Sequence, residues 1–183
     1  GSEMCIRDRT YTIDDIYALP EGERAELIDG HIYYMAPPSR KHQEISGELY
    51  ADIKEYIRSH GGRCKVYAAP FAVYLDERSN TYVEPDISVI CDPDKLDDRG
   101  CKGAPDWIIE IVSPASKKMD YLLKLLKYRF AGVKEYWIVD PEKERTTIYY
   151  YEQDEAPMIS LFTQTIQSGI YEGLEINISE LLK

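Results

Sequence analysis

The chain has 183 residues, of which 44% are hydrophobic and 30% charged, so it holds enough apolar mass for a core and suits one domain. No run approaches the ~18 apolar residues of a membrane helix, and no long apolar segment opens the chain as a signal peptide would, so no membrane role is expected and the cytoplasm is the default location. The net charge of −11 argues against a simple high-affinity polyanion binder.

Residues 1–10 match none of the patterns in the remainder of the chain and are set aside as an N-terminal extension, tag-derived or disordered, leaving 11–183 as a single domain. Thr12, with Asp15 three residues on, caps a short helix over 13–19 that Pro20 closes. Glu26-Leu27-Ile28 reads as a strand, Asp29-Gly30 as a type I′ hairpin turn, and His31 to Ala36 as the return strand. Ser39 starts a helix to about His60, with Ile45, Leu49, Ile53 and Tyr56 at helical spacing and Gly61-Gly62 ending it. Strands come next near 63–68 and 70–76, then another over Tyr82–Cys91. The acidic, turn-rich residues 92–104 read as an exposed loop.

Trp107 to Val112 is an almost unbroken apolar run, as in a strand covered on both faces. A helix over 116–131 and a strand over Glu135–Val139 complete a β-α-β unit with parallel strands and a right-handed crossover. Thr146 to Ile178 alternates like a β meander and ends in a short helix. The four cysteines form no C-x-x-C pair and no zinc spacing, and are expected to be buried or idle thiols.

Glu110 is the most informative residue, because a carboxylate inside Trp107-Ile108-Ile109-Glu110-Ile111-Val112 is costly unless paired or bound to metal. The bland alternative is a strand-end Glu reaching solvent or a buried base. Asp86 opens the apolar run Ile87-Ser88-Val89-Ile90 after Pro85; alone, Pro-Asp is usually a turn. Two neighbouring strands with one carboxylate each can place both on one hard cation such as Mg²⁺ or Mn²⁺. Lys124 lies on the next helix and shares a face with Asp120 and Tyr128 at i−4 and i+4; it could equally be a solvated lysine paired with Asp120. Two carboxylates and an ammonium suit phosphodiester hydrolysis. The basic residues Lys117, Lys118, Lys124, Lys127, Arg129 and Lys134 lie close by in sequence. Glu26 is a candidate third metal carboxylate, with pairing to Lys or Arg as the alternative. His42, one turn into the long helix, could face the metal cleft or serve as a helix-terminal or core residue. Ser113-Pro114 lacks the G-x-S-x-G context of a hydrolase nucleophile.

Together Glu84-Pro85-Asp86-Ile87, Ile109-Glu110-Ile111-Val112-Ser113-Pro114, Asp120-x-x-x-Lys124-x-x-x-Tyr128 and Ala131-Gly132-Val133-Lys134-Glu135-Tyr136-Trp137-Ile138-Val139-Asp140-Pro141 resemble the PD-(D/E)xK restriction-endonuclease-like superfamily. With Glu26-Leu27-Ile28-Asp29-Gly30 and His42, they are similar to its Uma-two family. The resemblance implies an α/β fold with an αβββαβ core, a mixed central sheet flanked by helices, and extra C-terminal strands. It implies Mg²⁺- or Mn²⁺-dependent DNA cleavage by a homodimer, with Asp86, Glu110 and Lys124 catalytic, Asp86, Glu110 and Glu26 at the metal, and His42, Asp120 and Tyr128 in support. Val112 stands where the superfamily motif carries its lysine, and Lys124 is the candidate replacement. Two other classes compete. A nuclease fold that no longer cuts would serve as a binding or assembly module, which the acidic charge and displaced lysine favour. A two-carboxylate glycosidase would need a sugar cleft and one raised pKa, and fits the adjacent lysine less well.

Overall fold

The computed structural model describes residues 10–183, so all but Thr10 of the expected N-terminal extension lies outside the described residues. Helix α1 (Ile13–Tyr17) is held by the capping box, with the Thr12 N–H donating to the Asp15 carboxylate at 2.8 Å. Strands β1 (Ala25–Ile28) and β2 (His31–Tyr34) form the expected hairpin, whose turn residues Asp29 and Gly30 both take positive φ, 50° and 78°. Helix α2 (Arg40–His60) starts at Ser39, whose Oγ accepts the His42 N–H at 3.1 Å, and buries Ile45, Leu49 and Ile53 along one stripe.

Next in the chain are strands β3 (Lys65–Ala68), β4 (Val73–Asp76), β5 (Thr81–Val83) and β6 (Ile87–Ile90). The single strand expected over Tyr82–Cys91 is divided at Glu84-Pro85-Asp86, and β5 and β6 join different sheets. Pro85 has no N–H to give a ladder, so the chain can leave one sheet and enter the next there. The segment read as a loop over 92–104 holds a small hairpin, β7 (Leu96–Asp97) and β8 (Gly100–Lys102).

Strand β9 (Trp107–Ile111), helix α3 (Lys124–Ala131) and strand β10 (Glu135–Asp140) make the β-α-β unit, with β9 and β10 parallel. A π-helical turn over Met119–Leu123 precedes α3, and the Lys124 N–H reaches back to the Met119 carbonyl. Such an inserted residue rotates the rest of the helix about its axis, and is frequent at functional sites. Strands β11 (Arg145–Tyr150) and β12 (Met158–Leu161), the small pair β13 (Ile166–Gln167) and β14 (Glu175–Ile176), and helix α4 (Ile178–Leu181) complete the chain.

The strands lie in two six-stranded sheets, ordered β2-β1-β5-β4-β8-β7 and β12-β11-β10-β9-β6-β3. The second carries the αβββαβ succession as α2-β3-β6-β9-α3-β10, extended by β11 and β12. The first is a separate sheet, where the order of elements in the sequence predicts one central sheet. Alternation along β9 decides which side each residue serves. Trp107, Ile109 and Ile111 pack with Ile45, Leu49 and Ile53 of α2. Ile108 and Val112 pack with Tyr128 and Tyr136 and with Ile28, Val73 and Val83 from the other sheet. Glu110, on the second set of positions, is thereby aimed at α3.

The expectation of idle thiols needs correction. Cys64 and Cys91 flank the antiparallel β3–β6 pair and are joined in a disulfide, because the register sets them opposite each other. Among the described residues Cys101 is the buried free thiol, and Cys5 lies outside them. No described helix is long and apolar enough to cross a membrane.

Candidate active site

The antiparallel β6–β9 register pairs Ile87 with Ile109, which sets Asp86 beside Glu110. The Asp86 N–H donates to Glu110 Oε1 at 2.9 Å, and the Ile111 N–H donates to Asp86 Oδ2 at 2.7 Å. Each carboxylate is thus held by the backbone of the strand that carries the other. His42 Nε2, from the first turn of α2, lies 3.2 Å from the same Asp86 Oδ2. Burial works against the charged imidazole, but the hydrogen bond and negative charge of Asp86 outweigh it and raise the His42 pKa above 6.5. Asp86 Oδ1 has no hydrogen-bond partner among the described residues.

Lys124 sits behind this pair. Its Nζ lies 2.5 Å from Glu110 Oε2, 2.8 Å from Glu26 Oε1 and 3.7 Å from Asp120 Oδ1. The Tyr128 hydroxyl donates to Glu110 Oε2 at 3.2 Å, so Asp120, Lys124 and Tyr128 do share a buried face, as their spacing predicts. The Tyr136 hydroxyl, from β10, donates to the Asp120 carbonyl at 2.9 Å. Burial drives the Glu110 pKa well above the usual carboxylate value even though Lys124 opposes it. Burial likewise lifts Asp120 to about 6, again against Lys124. Burial disfavours the Lys124 charge, but Glu110, Glu26 and Asp120 outweigh that and raise its pKa well above 10.5. The three carboxylates around it thus favour the charged form of Lys124.

Glu26 joins through Lys124 and through its own Oε2, which accepts the Glu84 N–H at 2.9 Å. Glu84, in turn, accepts from Arg24 Nε at 3.1 Å. Glu84 stands in the motif segment Glu84-Pro85-Asp86-Ile87 without an expected role, and Arg24 lies in none of the motifs. The available signal was Glu84 itself, an acid in the strand-like run Tyr82-Val83-Glu84. Five carboxylates thus gather here, with Glu26, Glu110 and Asp120 around Lys124, Glu84 on Arg24, and Asp86 on His42, so the acids outnumber the bases. That excess either retains protons or attracts a further cation.

The donor set is all oxygen, which suits a hard divalent ion, and such an ion takes one or two protein carboxylates and keeps its remaining waters. Asp86 and Glu110 fit that description. Among the described residues no three His, Cys, Asp or Glu side chains are arranged to hold a metal, and Glu26 is separated from Glu110 by the Lys124 ammonium. The basic stretch near the site is largely engaged within the protein. Lys117 pairs with Asp140 and Glu142, Lys127 with Asp29, Arg129 with Asp154 and Lys134 with Asp106.

The architecture is that of a nuclease fold. It matches the crystal structure of "a putative nuclease belonging to DUF820" from Anabaena variabilis ATCC 29413 with a TM-score of 0.76, over 93% of this chain and 97% of that one, at 22% identity. Residues 13–179 match the model of the Uma2 family, described as "Putative restriction endonuclease", and the chain belongs to that family. It is also 26% identical, over 72% of its own length and 68% of the relative's, to the uncharacterized protein slr1290 of Synechocystis sp. (strain ATCC 27184 / PCC 6803 / Kazusa).

Proposed function

We propose that this chain is a divalent-metal-dependent endonuclease that hydrolyses DNA phosphodiester bonds. The observation that carries the reading is the Lys124 ammonium, buried and 2.5 Å from Glu110, in a cluster whose other end is Asp86. That constellation supplies, from the helix after β9, the ammonium which Val112 cannot. The family description supports a nuclease, and nucleases of this superfamily generally use divalent metals.

Asp86 and Glu110 would hold Mg²⁺ or Mn²⁺, while Glu26, the third carboxylate of the expected set, would act through the Lys124 ammonium that it holds at 2.8 Å. Such an ion, when bound, polarises the phosphate and lowers the pKa of a bound water. Lys124, a fixed cation, donates to the oxygens on which charge builds and steers the attacking water. His42 fixes the Asp86 carboxylate through Nε2, and Tyr128 and Asp120 fix Glu110 and Lys124. The site would act within a homodimer, one site for each strand of a duplex.

The test begins with Mn²⁺ and Mg²⁺ titrated into the wild type and into Glu110→Ala, read by calorimetric heat and thermal unfolding. Binding to the folded state alone raises stability by RT ln(1 + [L]/Kd), about 2.7 kcal/mol at a hundredfold excess over Kd. The wild type is expected to be stabilised and Glu110→Ala not. Supercoiled plasmid should then be nicked by the wild type with either metal, and at least a hundredfold more slowly by Lys124→Ala. If neither protein responds to metal and no DNA is cut, the chain is a nuclease-fold binding module instead.

A further inference from the structure

A cleft of about 510 Å³ opens between the turn after β3 and the β7–β8 hairpin. Two hydrogen bonds link the chain beside it to residues of the carboxylate cluster. The Ala69 N–H donates to the Asp86 carbonyl at 2.9 Å. The Glu84 N–H donates to Glu26 at 2.9 Å. One wall is aromatic: Tyr67 and Phe71 stack with centroids 4.2 Å apart and planes 7° from parallel. Glu84, Asp97 and Asp98 also line the cleft, with Arg99 as its one lining base among the described residues. Glu84, nearly buried, gives Oε1 to Arg24 and has no partner for Oε2 among the described residues. Asp97 uses Oδ1 on the Arg99 and Gly100 N–H groups and keeps Oδ2 3.8 Å from the Arg99 guanidinium. Arg99 itself is drawn to the Tyr74 ring, 5.0 Å from its centroid. The size is that of a small-molecule site.

We propose that this cleft is a nucleobase subsite, which takes one unpaired, amino-bearing base (adenine, cytosine or guanine) of a nucleic acid whose phosphate lies at Asp86, Glu110 and Lys124. The assignment rests on the nuclease reading above. A flat aromatic wall offers a stacking face that any base can use. Carboxylates only accept hydrogen bonds, so they select the exocyclic NH₂ groups of these three bases. Thymine and uracil offer a single imide N–H flanked by carbonyl oxygens, which would meet the carboxylates with like polarity. The same acidity repels phosphate, so a base enters and the backbone stays outside. Extruding a base toward an enzyme cleft is least costly where it is already unpaired.

The probes are free nucleosides, which carry no phosphate and so report on the cleft independently of cleavage. Adenosine, cytidine, guanosine and thymidine are titrated into the metal-free wild type, followed by amide and aromatic chemical shifts of Tyr67 and Phe71. The amino-bearing nucleosides should bind at least tenfold more tightly than thymidine. Phe71→Ala should weaken all of them at least tenfold while keeping the far-UV circular dichroism of the wild type. Glu84→Gln should abolish the preference over thymidine, and Glu110→Gln should leave nucleoside binding intact. If no nucleoside shifts Tyr67 or Phe71 at millimolar concentration while plasmid is still cut, the subsite is overturned and the nuclease reading stands. Binding with thymidine equal to the others overturns the role of the carboxylates. Binding with the expected preference but no cleavage leaves the base site in place and removes the nuclease reading.

Discussion

Removing the Lys124 ammonium would leave Glu26, Glu110 and Asp120 facing one another with no cation among them. Breaking a buried pair by deleting one partner typically costs ~3–5 kcal/mol, because the remaining charge is stranded. Lys124→Met should therefore lower stability by about that amount in urea denaturation. Adding Glu110→Gln should restore part of the loss, since the stranded charge is then removed. Glu135 presents the opposite case, a buried acid outside the cluster. It accepts from Trp137 Nε1 at 2.9 Å and from the Gly169 N–H at 3.0 Å, yet burial still lifts its pKa from 4.5 to about 7. Between those two values the folded state holds a proton that the unfolded state has released, so stability falls as pH rises from about 4.5 to about 7 and then levels off. The slope over that window should be reduced in Glu135→Gln, by a few kcal/mol at most in total. Glu110 was legible from sequence because an acid in an apolar strand demands a partner. Lys124 was legible because helical spacing put it with Asp120 and Tyr128. Arg24 was not, since nothing local signals that it reaches Glu84, 60 residues further on.

At the scale of elements, the β-α-β unit and the long α2 helix were readable because their periodicities are long and unambiguous. The β7–β8 hairpin was not, because acidic turn residues mask strands of two and three residues. That hairpin depends on one glycine. Gly100 has φ +144°, and a Cβ built there would lie 2.2 Å from the Ala72 carbonyl oxygen. The same carbonyl accepts the Cys101 N–H at 2.9 Å. Gly100→Ala must push β8 from β4, at a cost of roughly 1–3 kcal/mol. Hydrogen exchange of the Cys101 amide should accelerate in that variant while amides of β9 and β10 keep their protection. The π-helical turn at Met119–Leu123 was likewise invisible, because a one-residue insertion leaves the apolar content of the helix unchanged.

For the whole molecule, the αβββαβ succession was readable from the order of elements, but the division into two sheets was not. It rests on a crossing at Pro85, inside the run Tyr82–Cys91 that reads locally as a single strand. The proposed homodimer also belongs to this scale. Leu122, Leu126 and Phe130 recur at i, i+4 and i+8 and are 59%, 53% and 82% exposed. An apolar stripe of that kind more often marks a contact face than bare surface. A net charge of −11 resists self-association, and salt screens that repulsion. Sedimentation should accordingly give a dimer that tightens as salt rises and is lost in Phe130→Glu; a monomer under all conditions would remove the dimer.

The mutual grip of Asp86 and Glu110 makes the pair a gauge of how β6 and β9 are aligned. Shifting β6 against β9 by one residue would turn one of the two acids to the opposite side of the sheet and break both backbone hydrogen bonds. Bringing the two acids side by side is thus an all-or-none event of strand alignment, and chemistry that needs both is absent from any chain in which β6 and β9 are out of step.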